Sequence, residues 1–165
     1  MHVVVTGGAG FLGSRLARDL LAAGSLQVAG GERRPLSRVT LVDRAPVPPD
    51  LAADGRVTAV RGDLVDLLAP ARGTGGRGDI LAGAEVIFHL AAAVSAECEA
   101  DFDLGLRANL EATQALLASC RALGTRPAVV YASSVAVFGA SAEQPLPAVI
   151  DDHTRPNRQT SYGTP

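Results

Sequence analysis

The run Val3-Val4-Val5-Thr6-Gly7-Gly8-Ala9-Gly10-Phe11-Leu12-Gly13 constrains this chain more than any other stretch. Three β-branched residues lead into glycines at 7, 8, 10 and 13, and apolar residues then recur at Phe11, Leu12, Leu16, Leu20 and Leu21. That order is strand, glycine-rich turn, helix. A helix start of this kind offers unpaired N–H groups and the positive end of the helix dipole to an anion. The glycines fit both G-x-G-x-x-G (8, 10, 13) and G-x-x-G-x-x-G (7, 10, 13), and the ligand this arrangement suits is a dinucleotide pyrophosphate. Gly7 permits the tight turn, Gly10 keeps a Cβ out of the path of the phosphates, and Gly13 lets the helix close on the sheet.

At 165 residues the chain has the length of one domain, and with 47% hydrophobic residues it can build a core. The formal charge of -2, without a basic run, excludes a nucleic-acid footprint. Arg33, Arg34 and Arg38 fall in a Gly/Pro-containing connection and read as solvated. No apolar run has transmembrane length and Val3–Val5 lacks the flanks of a signal peptide, so the expected compartment is the cytoplasm, with no membrane partner. Cys98 and Cys120 lack ligand spacing, as do His2, His89 and His153, so no metal site is expected.

Further strands are expected at 39–43, 57–60, 85–90 and 128–132. Asp43 closes the second strand, where an acidic residue accepts hydrogen bonds from ribose hydroxyls and repels a 2′-phosphate. It stands farther from the glycines than usual, which a polar loop over 24–38 explains. Pro46, Pro48 and Pro49 argue against a regular helix there, and 70–79 reads as a flexible loop. Asp63 follows the third strand and is a candidate partner for an adenine amino group, or a cap for the next helix. The fourth strand is nearly all apolar, as in the middle of a parallel sheet, and Ala91-Ala92-Ala93 after it leaves room for a flat ligand. His89 within it reads as a satisfied core residue. The longest helix is expected over 101–123, ended by Gly124. Asn109 in its middle, with Thr113 one turn on, suggests side chains bridging to the fourth or fifth strand. Strands alternating with helices give an α/β, Rossmann-type doubly wound parallel sheet of order 3-2-1-4-5.

Together Thr6–Gly13, Asp43, Gly62-Asp63-Leu64, His89-Leu90-Ala91-Ala92, Asn109, Ser133–Gly139 and Ser161-Tyr162 resemble the extended short-chain dehydrogenases/reductases, the group of the nucleotide-sugar epimerases and dehydratases. The run 93–105, the long connection before Val39, and Phe138 where sugar-nucleotide enzymes carry Tyr are similar to the D-erythronate dehydrogenase branch, which oxidises the C2 hydroxyl of four-carbon sugar acids with NAD. The resemblance implies Tyr162 as base and Ser134 as the residue that holds the reacting hydroxyl. Ser95 is a weaker candidate for the substrate carboxylate. It implies NAD contacts from Gly7, Gly10, Phe11, Leu12, Gly13, Asp43, Asp63, Leu64, Leu90, Ala91, Ala92 and Asn109. A nucleotide-sugar 4-epimerase or dehydratase, and a non-catalytic dinucleotide-binding module, are the alternatives.

The family's lysine, four residues after the tyrosine, would be position 166, and the sequence ends at Pro165. Residues 1–165 therefore read as an incomplete NAD-binding Rossmann domain, with the remaining strands and the substrate domain absent. On that reading the polypeptide alone is expected to be inactive, with an open sheet edge beside the fifth strand and an uncovered apolar face on the 101–123 helix. A homodimer joined through that helix is the implied assembly of the full-length enzyme.

Overall fold

The computed structural model describes residues 1–69 and 80–164; the loop expected over 70–79 lies outside the described residues. The chain divides into two compact units. One comprises Met1–Ala91 with Glu111–Ala132, and the other Ala92–Leu110 with the residues from Ser133 onward.

In the first unit β1 (His2–Thr6) leads through the glycine turn into α1 (Phe11–Ala23). β2 (Ser25–Gln27) and β3 (Arg33–Pro35) follow, then β4 (Arg38–Asp43), α2 (Pro49–Ala52), β5 (Val57–Arg61), α3 (Leu64–Leu68) and β6 (Val86–His89). The main sheet has the order β5-β4-β1-β6-β7, with β7 spanning Ala128–Tyr131, and all its neighbours are parallel. This is the 3-2-1-4-5 order expected, counted over the main-sheet strands.

Alternation along β1 sets the layers. Val3 and Val5 pack with Val39, Leu41, Ala17, Leu20 and Leu21 on the α1 side, while Val4 packs with Val42, Ile87, Leu64, Leu67, Ala112 and Leu116 on the other. All three valines are fully buried, each contributing roughly 1.5–3 kcal/mol on folding. β7 is the outer strand and leaves Val130 and Tyr131 about half exposed. No helix among the described residues is long and apolar enough to cross a membrane.

The longest helical run is α5 (Phe102–Gly105), a π turn over Leu106–Glu111 and α6 (Ala112–Leu123), closed by Gly124 in the left-handed conformation. In the second unit a short helix, α4 (Ser95–Ala100), precedes α5, and a 3₁₀ turn spans Val135–Val137.

Three expectations need correction. The 24–38 stretch is not simply a loop: β2 and β3 pair antiparallel. Arg34 at its heart pairs with Glu85 and Arg33 donates to Ser25 Oγ at 3.3 Å, so two of the three arginines have partners. The prolines do not prevent a helical turn at 49–52, because Pro49 sits in its first turn, where no N–H is needed. The 101–123 helix is regular only at its ends, since the π turn falls around Asn109.

Candidate functional site

The first unit builds the glycine turn from β1, α1 and β4. Gly7 has φ +71°, open to glycine without strain, and its N–H and that of Gly8 donate to the Val42 carbonyl at 2.8 and 3.2 Å. Asp43 ties the turn to β4: Oδ2 accepts the Ala9 N–H and Oδ1 the Ala45 N–H, both at 2.9 Å.

The glycines divide into two kinds. A Cβ at Gly13 would lie 2.0 Å from the Gly7 carbonyl oxygen, at Gly8 2.9 Å from Leu41 Cβ, and at Gly7 2.8 Å from the Leu90–Ala91 backbone. The fold itself demands those three. Gly10 is different: it is exposed, its φ is an ordinary -69°, and a Cβ there would meet only the Gly7 oxygen, at 3.3 Å. Among the described residues a methyl at position 10 would ask the Gly7 carbonyl to give by only a few tenths of an ångström. Gly10 is also the N-cap of α1, which has no side-chain cap and no acidic residue in its first turn. No side chain within α1 or at its N-cap compensates the dipole end, and the Asp43 carboxylate is engaged on the Ala9 N–H. Phe11 and Leu12 stand beside it, 88% and 63% exposed.

Asp63 caps α3, its Oδ1 accepting the Val65 N–H at 3.0 Å, while Leu64 is buried in the core. Replacing Asp63 by alanine is expected to lower stability by about 1 kcal/mol in a urea titration without any ligand.

His89 is buried at the end of β6. Thr6 Oγ1 lies 2.7 Å from its Nδ1 and Thr113 Oγ1 lies 3.0 Å from its Nε2. Thr6 Oγ1 also accepts the Ala91 N–H at 3.3 Å, and with one donor and a second lone pair left it can serve His89 Nδ1 in either tautomer. Burial pushes the His89 pKa down to about 4. The expected core histidine is therefore found, with Thr113 supplying the expected bridge from the long helix. Thr6 was missed; its signal is a hydroxyl residue closing an apolar strand. The Leu90 N–H donates to the Thr6 carbonyl at 3.1 Å.

In the second unit Asn109 grips Ala93, which follows the alanines of the fourth strand's exit. Its Oδ1 accepts the Ala93 N–H at 2.8 Å and its Nδ2 donates to the Ala93 carbonyl at 3.1 Å. Ala92 is exposed beside it, and Ser95 opens α4 with its side chain exposed. Ser134 caps the 3₁₀ turn, accepting the Ala136 N–H at 3.2 Å. The segment bearing Tyr162 lies directly against that turn. The Asn157 N–H donates to the Val137 carbonyl at 2.9 Å, and a Cβ at Gly163 would lie 2.4 Å from the Ala136 oxygen. Ser134 and Tyr162 thus stand on adjoining segments, 28 residues apart in sequence by subtraction of their numbers. Tyr162 is partly buried, and its hydroxyl makes no hydrogen bond among the described residues. The Ser161 hydroxyl donates to the Cys98 carbonyl at 3.2 Å, a contact no local sequence signal announces.

Known proteins are similar to this chain in sequence and fold. Over 163 residues the chain is 48% identical to a D-erythronate dehydrogenase of Cupriavidus necator, an alignment covering 99% of this chain and 46% of that protein. A nucleoside-diphosphate-sugar epimerase of known structure from Agrobacterium tumefaciens matches with a TM-score of 0.78 at 40% identity, over 99% of this chain and 45% of its own. MoeE5, solved in complex with UDP-glucose and NAD, matches with a TM-score of 0.72 at 32% identity, over 99% and 44%. The chain spans about half the length of the relatives it matches. The model of the NAD dependent epimerase/dehydratase family matches residues 3–164, and the chain belongs to that family.

Proposed function

We propose that the chain forms the NAD-binding portion of an oxidoreductase that oxidises the C2 hydroxyl of a four-carbon sugar acid such as D-erythronate. The single observation that carries the cofactor reading is the turn at Gly10: α1 starts there without a side-chain cap, at an exposed glycine whose Cβ would meet one atom among the described residues, the Gly7 oxygen at 3.3 Å. Gly7 and Gly13 shape that turn, and Phe11 and Leu12 offer apolar cover beside it. Asp43 has lone pairs left after accepting two N–H groups, enough to receive ribose hydroxyls and to repel a 2′-phosphate. Asp63 is assigned the adenine amino group. Leu64 supports Asp63 from the core, Leu90 and Ala91 are assigned cofactor contacts in the first unit, and in the second Ala92 is assigned one beside Ala93, which Asn109 grips.

Oxidising a secondary alcohol needs a base for the hydroxyl proton and an acceptor for the hydride. NAD, when bound, supplies the acceptor. Tyr162 takes the proton. Ser134 uses its oxygen for the Ala136 N–H and keeps its own proton to orient the reacting hydroxyl. Ser95 is assigned the substrate carboxylate. The substrate reading rests on the 48% identity to a D-erythronate dehydrogenase. A nucleotide-sugar epimerase is the second reading, favoured by the 40% identity to the Agrobacterium tumefaciens structure. Comparing D-erythronate with UDP-glucose as ligands of the NAD-loaded protein separates the two. A homodimer is proposed as well, supported by the exposed Leu110 and Leu117 on the long helix; sedimentation of the protein tests it.

Calorimetric titration with NAD and then NADP tests the cofactor reading. NAD is expected to bind, NADP to bind more weakly, and Gly10→Val to weaken NAD by about tenfold or more, which is 1.4 kcal/mol, while unfolding near the parent's temperature. A folded Gly10→Val protein that binds NAD as the parent does removes the basis of the assignment.

A further inference from the structure

We infer that Ser161 is a positioning residue that fixes Tyr162 in register with α4; the proposal rests on the reading of Tyr162 as the base. It stands on three contacts within the second unit. The first is a need. α4 has six residues, and Cys98 is among its last four, so its carbonyl has no partner inside the helix. The Ser161 hydroxyl, 63 positions on, fills that need at 3.2 Å.

The second contact makes the acceptor a firm anchor. Cys98 is 1% exposed. Its thiol donates to the Ala93 carbonyl at 3.7 Å, and Asn109 Nδ2 lies 3.6 Å from the sulfur. A Cβ on Gly105 would come within 3.0 Å of that sulfur, so α5 closes tightly over it. The Ser161 hydroxyl is thus bonded to a residue whose own side chain is tied to Ala93 and Asn109.

The third contact lies on the other side of the tyrosine. Gly163 is buried against the Ala136 carbonyl, and its N–H donates to Thr160 Oγ1 at 3.0 Å. Gly163 alone sets the tyrosine's height over the Ser134 turn and leaves the backbone a pivot. Ser161 removes the pivot by reaching a different segment. Tyr162 is then held at both neighbours, one facing the residue that orients the hydroxyl and the other facing the helix that Ser95 opens. The base and the proposed carboxylate contact share one frame.

The chain has two tyrosines, Tyr131 and Tyr162, and no tryptophan, so Tyr131→Phe leaves Tyr162 as the sole tyrosine in a ring-¹³C-tyrosine NMR spectrum. In that background Ser161→Thr and Ser161→Val form an equal-sized pair that differs in the hydroxyl. The Thr variant is expected to keep the parent's Tyr162 signal. The Val variant is expected to move it to the free-tyrosine position with a narrowed line, while unfolding near the Thr variant's temperature. Ser141→Ala, which removes the hydroxyl bonded to the Gln144 N–H, is expected to leave the signal in place. The proposal is overturned if Val and Thr give the same Tyr162 signal, if Ser141→Ala moves it as far, or if Val unfolds where Thr folds, which makes the bond a general support. The ring signal reports position without turnover, so a failed cofactor titration leaves this result standing.

Discussion

Replacing Gly13 by alanine is expected to cost about 3 kcal/mol or more and to abolish NAD binding in whatever folded protein remains. The methyl would lie 2.0 Å from the Gly7 carbonyl oxygen, 2.8 Å from its carbon and 2.9 Å from the Gly8 Cα. All three are backbone atoms. The carbonyl cannot swing aside without losing the Gly10 N–H it accepts at 3.1 Å, and the Gly7 and Gly8 amides are already committed to Val42. Alanine's better helix propensity returns only about 1 kcal/mol. Urea titration of Gly13→Ala beside Gly10→Ala is the test. Gly10→Ala meets one atom at 3.3 Å and is expected to remain within about 0.5 kcal/mol of the parent. If Gly13→Ala is as stable as Gly10→Ala, the turn reforms around the methyl and the division of the glycines into fold-demanded and ligand-facing fails.

That division also marks how far the sequence could be read. β1, β4 and β6 were legible because strands buried on both faces read as near-continuous apolar runs, and the order followed from chain crossovers of one hand. The ribbon of β2 and β3 was not. Its strands are three residues long, Leu26 is the one large apolar side chain in them, and Arg34 is held by Glu85, 51 positions away. The π turn at 106–111 breaks no apolar spacing, so periodicity cannot show it. A mid-helix Asn was its only trace, and that trace pointed correctly to a side chain working on a neighbouring segment. Asp63 shows a subtler limit: both expected roles, cap and ligand contact, use one carboxylate at one position, and the cap is present. In the second unit Asn109 and Ala92 were legible from the residues and Ser95 and Tyr162 by resemblance, whereas the Ser161–Cys98 contact depends on two segments meeting and has no local signature.

His89 is expected to make the protein lose stability as the pH falls from 6.5 towards 4, a window that opens above that of its carboxylates. The group is neutral in the fold, with its pKa pushed down from 6.5 to about 4 by burial. The unfolded chain binds the proton first, so stability rises with pH across this interval. His89's contribution is complete above 6.5, is lost progressively on acidification, and changes no further below 4. The interval corresponds to roughly 3 kcal/mol. Protonation would also make both ring nitrogens donors, so Thr6 Oγ1 and Thr113 Oγ1 would both have to accept. His2 acts in the same direction, since its pKa is lowered chiefly by burial; Asp54, held at about 2 by Arg56, and Glu85, lowered chiefly by Arg34, add their own loss below about pH 5. His89→Gln keeps a donor and an acceptor without a titrating ring. Urea titrations at pH 7, 5.5 and 4 are expected to show the parent falling more steeply than His89→Gln, the remaining slope belonging to His2 and, towards pH 4, to the carboxylates held by arginines. Parallel curves for the two proteins would mean that the buried imidazole charges without cost, and that the Thr6–His89–Thr113 chain does not hold the strand ends at the base of the glycine turn.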